Sequence, residues 1–340
     1  MVHAACPPHN GRVPAMGELL SLWGIPVASE LCRTSRGSNN TTFTIRHDDR
    51  CWVLRVSQNL SVPQVAAEHR LLERLRRAGL PFAVPEPVAA LDGRTVVETG
   101  EGPATVCRWL PGVPADLAGP RMLERFGRAC GQLSGALKDV PPQDAPHDWR
   151  GSDPLLVHPD VPGFPALCRE LRQAGMDTRP LETAARRVME WWDTSRENLP
   201  VQVVHGDPAA SNTLADPRTG RVTAILDFEF AGTDFRAQDV VVVLYGSGAL
   251  DGPDWKQRAA PLIAGFGSSA RLTESEIRAL PAMILWRSVG TVLWRAGRWR
   301  RGLDQAALIA KRIEDLVHTT DWIDHHGHAL IALGLARASR

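Results

Sequence analysis

The chain has 340 residues, with 39 Lys plus Arg against 38 Asp plus Glu and a net charge of +1. That length suggests two domains or lobes of roughly 100–200 residues each, and the even charge balance makes no case for nucleic acid or an anionic membrane as a partner. Six cysteines (Cys6, Cys32, Cys51, Cys107, Cys130 and Cys168) show no CxxC spacing, so they form neither a zinc set nor a disulfide framework and read as reduced packing residues.

The N-terminus "MVHAACPPHNGRVPAM" puts prolines and polar residues where a signal peptide needs an apolar stretch, and no run approaches about 18 apolar residues, so the cytoplasm is the expected address. "NTTFTI" and "CWVLRV" alternate, are rich in β-formers and flank the polar "HDDR", which predicts a hairpin. A helix is expected from Ser61 to Ala78, with Ser61 as cap, Pro63 in the first turn, and Gly79 and Pro81 as the stop. "TVVET" and "ATVCRWL" supply two more strands around the turn "GEGP". "LPGVPADLAGP", from Leu110 to Pro120, is dense in Pro and Gly and separates a strand-rich part from a helix-rich remainder. Beyond it come a helix near Arg121–Lys138, an irregular insert from Pro141 to Gly163, a helix near Leu181–Glu197, and long helices from about Glu274 onward.

The stretch "VVHGDPAASNTLADPRTGRVTAILDFE" concentrates the chemistry. Buried carboxylates are costly unless a cation or hydrogen-bond donors meet them. "VQVV" delivers His205-Gly206-Asp207 at a strand end, Asn212 follows, and "VTAIL" delivers Asp227 at another strand end. Strands joined by "DPRTG" form a hairpin that brings Asp207, Asn212 and Asp227 to one cleft. Oxygen-bearing side chains in that number suit Mg²⁺, which takes few protein ligands and completes its shell with phosphate and water.

"HGDPAASN" followed by "ILDFE" resembles the catalytic loop and metal-binding segment of the aminoglycoside phosphotransferases, whose relatives include choline kinase and one type of homoserine kinase. Four fixed letters at set spacing give roughly one chance match per 10⁵ positions before strand context is counted. The resemblance implies an α+β, protein-kinase-like two-lobed fold, with an antiparallel sheet plus helix in the N-lobe and a mainly helical C-lobe. It implies a nucleotide-binding lobe over residues 1–109, a catalytic and acceptor-binding lobe over 110–340, and a hinge at 106–112. Asp207 takes the place of the catalytic aspartate that orients an acceptor hydroxyl, and Asn212 and Asp227 the places of metal ligands bridging the ATP phosphates. His205 reads as structural, packing the loop from behind, while Glu229 is left between facing the metal and capping a helix.

Three further features agree with the resemblance. Gly37, Ser38, Asn39 and Asn40 form a polar turn between strands, similar to the family's nucleotide-positioning loop, although such a turn is more often only a hairpin. The period of two puts Arg55 with Cys51 and Val53 on the face opposite Trp52, Leu54 and Val56. The family usually has lysine there, and arginine is not its equivalent. On a helical wheel from Val65, Glu68 falls at about 300°, inside the apolar arc of Val65, Leu71, Leu72 and Leu75, which an Arg55–Glu68 ion pair beside the phosphates would require. "ATVCRWLPG" resembles the inter-lobe hinge, so the main chain of Val106, Cys107, Arg108 and Trp109 is expected beside adenine, and Asp239 resembles the aspartate that receives hydrogen bonds from the catalytic loop.

The acceptor pocket is expected between the insert and the C-terminal helices. Trp286 and Trp294 lie eight apart on one helix face, with Arg287 and Arg295 beside them, and tryptophans at that spacing are more often core than ligand shelf. Pro281–Arg301 holds five arginines and no acid, against only a modest acidic cluster of Asp144, Asp148, Asp153, Asp160 and Asp234. The expected activity is ATP- and Mg²⁺-dependent phosphorylation of a small hydroxylated acceptor, an antibiotic or other natural product in the first reading. A primary-metabolism kinase acting on homoserine or an amino sugar is the alternative, and a pseudokinase-like nucleotide-binding module is the non-enzymatic one.

Overall fold

The structure, a computed structural model, describes residues 13–34, 39–149 and 154–338. The chain begins with α1 (Val13–Ser21) and the edge strand β1 (Glu30–Arg33), followed by β2 (Asn40–His47) and β3 (Arg50–Ser57). β2 and β3 form the expected hairpin, in a register that pairs Thr42 with Arg55 and Arg46 with Cys51. The turn takes Asp48 to φ 49°, a left-handed conformation that aspartate tolerates better than most side chains. Leu54 and Val56 are buried with Leu20, Ile45 and Val106, and Trp52 packs against them, so the period of two holds.

The helix α2 (Val62–Arg77) starts where expected. Gln64 reaches back to accept from the Ser61 N–H at 3.0 Å, and Gly79 leaves the helix at φ 71°. β4 (Val97–Thr99) and β5 (Gly102–Arg108) complete an antiparallel sheet of order β1-β2-β3-β5-β4. Leu71, Leu72 and Leu75 of α2 do not close on this sheet. They pack against Val203, Val222, Ile225 and Phe228, so this helix is shared by both lobes.

The Pro/Gly-rich connection contains β6 (Val113–Pro114) and leads into α3 (Pro120–Leu137). The insert docks through β7 (His147–Asp148) and is followed by α4 (Phe164–Gln173), which periodicity did not reveal, and α5 (Arg179–Ser195). β8 (Val201–Val204) leads to the HGD segment, and then come β9 (Thr213–Ala215), β10 (Val222–Ile225) and β11 (Gly232–Phe235). The "DPRTG" hairpin is β9–β10, capped by Asp216, whose side chain accepts from Arg218 and Thr219 N–H. β8 lies outside that hairpin: it pairs with β11 in the sheet β7-β11-β8, while β6 joins β9.

The remaining helices are α6 (Ala237–Gly246), α7 (Trp255–Gly267), α8 (Glu274–Arg300) and α9 (Ala306–Ala338). None among the described residues is long and apolar enough to cross a membrane. Cys51, Cys107, Cys130 and Cys168 are free thiols, whereas Cys32 is disulfide-bonded, contrary to the expectation of six reduced cysteines.

α3 and α7 cross at glycines. A Cβ on Gly265 would lie 2.1 Å from the Glu124 carbonyl oxygen, and one on Gly127 would lie 2.3 Å from that of Leu262, so backbone meets backbone. Gly265→Ala should therefore destabilise the protein by about 1–3 kcal/mol, the scale of an overpacked core. Gly267→Ala, on the same helix with nothing within 4 Å of its Cβ, should be neutral or stabilising. Equal urea midpoints for the two variants would contradict this account of the crossing.

Candidate active site

The loop after β8 is built from buried polar groups that satisfy one another. His205 is fully buried. Its Nε2–H donates to the Leu226 carbonyl at 3.0 Å, and its Nδ1 accepts from the Asp207 N–H at 3.2 Å. Burial pushes the imidazole down to about 4, which keeps it neutral, so its geometry agrees with packing behind the loop. Asp239, in the first turn of α6, accepts from the N–H groups of His205 at 3.1 Å and Gly206 at 2.9 Å, and burial raises its carboxyl to about 6. Gly206 sits at φ 79°, with the Phe230 carbonyl oxygen 2.3 Å from where a Cβ would be, so only glycine passes this point without a shift.

Asp207 emerges from that frame with both carboxylate oxygens engaged. Asn212 Nδ2 donates to Oδ2 at 3.0 Å, and Arg287 Nη2 donates to Oδ1 at 2.7 Å. Asn212 is joined to the next segment by its own carbonyl, which accepts from Leu226 N–H at 2.7 Å. Asp227 follows at φ 64°, a strained conformation for a residue other than glycine. The expected trio of Asp207, Asn212 and Asp227 thus meets along one cleft.

Arg55 faces that cleft from β3 and forms a bidentate pair with the buried Glu68, at 2.9 and 2.5 Å. Burial opposes its charge, but the Glu68 carboxylate outweighs burial and holds the guanidinium above its usual range. Asp227 is more distant, 3.9 Å from Arg55. Glu229 is 1 % exposed and accepts from Asn40 Nδ2 at 2.8 Å, so it faces the cleft and not a helix end. Burial drives the carboxyls of Asp227 and Glu229 upward, with Glu229 adding to the effect on Asp227 and Arg55 drawing both back.

Asp227 Oδ1 and Glu229 Oε1 accept no hydrogen bond. Two enclosed carboxylate oxygens in that state suit a hard dication. No group of three or more His, Cys, Asp or Glu side chains that could hold a metal occurs among the described residues, so such an ion would depend on Asp227, Asn212 and outside oxygens.

Of the expected nucleotide loop, Gly37 and Ser38 lie outside the described residues, while Asn39 and Asn40 stand at the cleft edge. In the expected hinge, Val106 accepts from Val88 N–H at 2.8 Å, Arg108 N–H donates to Glu86 at 3.0 Å, and Trp109 N–H donates to Cys51 at 3.2 Å. Cys107 shares the Arg55 face, and burial pushes its thiol up to about 12, which leaves it unreactive.

A cavity of about 320 Å³ adjoins Asp207. Asp148, Trp149, Phe230, Asp234, Gln238, Arg287, Trp294 and Arg295 line it. The wall is aromatic: Trp149 stacks on His147 at 4.2 Å, and Trp294 meets Phe230 edge-on at 4.9 Å. Gln238 Oε1 and Trp294 Nε1 are buried without partners. Asp234 is buried, and burial raises its carboxyl to about 7.

The expected acidic cluster divides. Asp148 and Asp234 reach the cavity, but Asp144 is bound by Arg70 and Arg74 of α2 at 2.9 and 2.6 Å, and Asp160 lies by Arg301 at 3.9 Å. Asp153 is outside the described residues. Trp286 is core, 5.2 Å from the Trp192 ring, with an edge on the cavity. The Arg287–Asp207 pair was not anticipated; the cluster of arginines without acids on α8 was its only signal.

A family model described as the phosphotransferase enzyme family (APH) matches residues 30–279. The chain belongs to the phosphotransferase enzyme family. This phosphotransferase is 28% identical over 291 residues to a homoserine kinase of Gluconacetobacter diazotrophicus, covering 84% of this chain and 86% of the relative. A homoserine kinase of Xanthobacter autotrophicus is 28% identical over 290 residues, covering 84% and 82%. In fold it is similar to an amicoumacin kinase bound to AMP-PNP and Ca²⁺, with a TM-score of 0.68 at 14% identity over 90% of this chain and 93% of that one. A microcompartment-associated aminopropanol kinase gives a TM-score of 0.66 at 18% identity over 95% and 99%. The two-lobed kinase-like fold and small-molecule phosphotransferase class expected from the motif therefore hold.

The bidentate Arg55–Glu68 pair generates a quantitative expectation. A double-mutant cycle on folding stability with Arg55→Met and Glu68→Gln should give a coupling of roughly 0.5–3 kcal/mol, the range for residues in one charged network. Additive effects would mean that the pair is not formed in solution.

Proposed function

We propose that the cleft transfers the γ-phosphoryl group of ATP, with Mg²⁺ bound, to a hydroxyl of a small zwitterionic acceptor. The observation that carries this reading is the position of Asp207: its carboxylate borders the cavity, and Asn212 ties it to the segment bearing the Asp227 oxygen that accepts no hydrogen bond. Asp207 orients the acceptor hydroxyl and takes its proton late. The acceptor oxygen bonds to the γ-phosphorus as the bond to the bridging oxygen breaks, and ADP leaves. Such a reaction asks the protein for positioning and charge neutralisation more than for covalent help.

Asn212 and Asp227 are the proposed holders of Mg²⁺, which when bound offsets the phosphate charge. Arg55, fixed by Glu68, meets the phosphates; Asn39 stands beside them, and the main chain of Val106 to Trp109 borders adenine. Residues 1–109 then form the nucleotide-binding lobe and 110–340 the catalytic and acceptor-binding lobe, with the chain turning at 106–112.

Cavity size and charge support a small zwitterion. At about 320 Å³ the cavity is at the small end for ligand sites, and it offers Arg287 and Arg295 to an anionic group, and Asp148, Asp234 and the Gln238 carbonyl to an ammonium. Arg287 occupies the Asp207 oxygen that an acceptor hydroxyl needs, and a carboxylate on the acceptor gives the guanidinium a new partner. Homoserine has this chemistry. A natural-product acceptor is the second reading, favoured by the aromatic wall of Trp149, Phe230 and Trp294.

Asp207→Asn keeps the size of the side chain and removes its negative charge and basic site. ATP affinity should change little, while turnover should fall by about 10²-fold or more, the scale of losing a positioned general base. ADP release should be greater with L-homoserine than with 3-aminopropanol, which lacks the carboxylate. Wild-type turnover in Asp207→Asn would contradict the role of Asp207, and preference for 3-aminopropanol would contradict the zwitterion.

A further inference from the structure

The last turn of α8 carries a buried cation that the phosphoryl-transfer reading leaves without a task. Arg298 is 1 % exposed. Its Nε faces Asp304 at 3.3 Å, while Nη1 donates to Asn59 Oδ1 at 3.0 Å and Nη2 to Gln58 Oε1 at 3.4 Å. Gln58 and Asn59 follow β3 in the opposite lobe. A buried ion pair whose guanidinium also reaches side-chain carbonyls of another lobe is a costly arrangement to maintain unless its placement matters.

The contacts continue into the cleft. Asn59 Nδ2 donates to the Asn39 carbonyl at 3.1 Å, and Gln58 N–H donates to Asn40 Oδ1 at 3.3 Å. Asn40 Nδ2 donates to Glu229 Oε2 at 2.8 Å. Asn39 also lines the acceptor cavity, as do Trp294 and Arg295 one turn before Arg298. A second bridge between the lobes, from Arg70 and Arg74 to Asp144, runs through arginine side chains that are 53% and 51% exposed, where solvent screens the attraction. Arg298 is an enclosed link.

We propose that Arg298 is a positioning residue: through Gln58 and Asn59 it sets Asn39 and Asn40 over the cleft, so that the acceptor-side helix α8 determines how well the nucleotide is held. The proposal rests on the ATP-dependent reading above. It makes the placement of Asn39 and Asn40 a property of α8, and so couples the acceptor side of the cleft to the nucleotide side.

The test is calorimetric titration with ATP and Mg²⁺, below the melting temperature of every variant. Arg298→Met leaves Asp304 paired with Arg295, 3.2 Å away, and Asn59→Ala cuts the same path at an outer position, so it serves if the first variant does not fold. Each should weaken ATP affinity about tenfold, within the range of coupling between sites, and the double variant should be no weaker than the worse single one. A lowered melting temperature with unchanged ATP affinity would reduce Arg298 to a structural brace and overturn the proposal, as would additive losses in the double variant. Wild-type protein that binds no ATP with Mg²⁺ would overturn the functional reading itself, and this inference with it.

Discussion

An excess of enclosed negative charge governs this molecule. Glu68, Asp227 and Glu229 surround one guanidinium, and Arg55 gives both arms of its fork to Glu68. What reaches Asp227 is a contact of 3.9 Å, and what reaches Glu229 is the Asn40 amide at 2.8 Å. A carboxylate in that situation must hold a proton or find a cation. The strained backbone at Asp227 and the oxygens of Asp227 and Glu229 that accept no hydrogen bond are the local cost of keeping the cleft ready for one.

The rest of the site is arranged to carry that charge without collapsing. Asp239 receives two main-chain N–H groups, and neutral His205 bridges the Asp207 N–H to the Leu226 carbonyl, so the two strand ends keep their spacing. The insert contributes from the opposite side: His147 donates to the Glu229 carbonyl at 2.8 Å, and Trp149 Nε1 to that of Phe230 at 2.9 Å. α2, which presents Glu68, is anchored by leucines in a core shared with β8 and β10. Positions of the charged groups are therefore set by packing in both lobes. That suits a reaction which depends on preorganised charge.

Much of this was legible in the sequence, because it is written in short-range periodicity. Alternation in "CWVLRV" put Arg55 on the cleft face, and the helical wheel put Glu68 on the inner side of α2; their contact follows from those two facts. The spacing of Asp207, Asn212 and Asp227 carried the trio. What failed to show was long-range pairing. Strand propensity in "VQVV" says nothing of whether its partner is β10 or β11. An Asp144 in a polar insert looks like a pocket acid until α2 supplies Arg70 and Arg74. Arg287 reaches Asp207 across 80 positions in sequence, and Arg298 reaches Asn59 across 239, distances at which only tertiary packing decides contact. The disulfide at Cys32 is of the same kind, since spacing alone does not say which thiol meets another.

The central proposal is that Asn212 and Asp227 hold a dication that in turn holds ATP. Thermal melting with ATP, in Mg²⁺ and in excess chelator, tests it most directly. The account predicts a rise of several degrees with ATP and Mg²⁺ together, little change with ATP in chelator, and loss of the difference in Asp227→Ala. Equal stabilisation by ATP with and without the metal in the wild-type protein would contradict it.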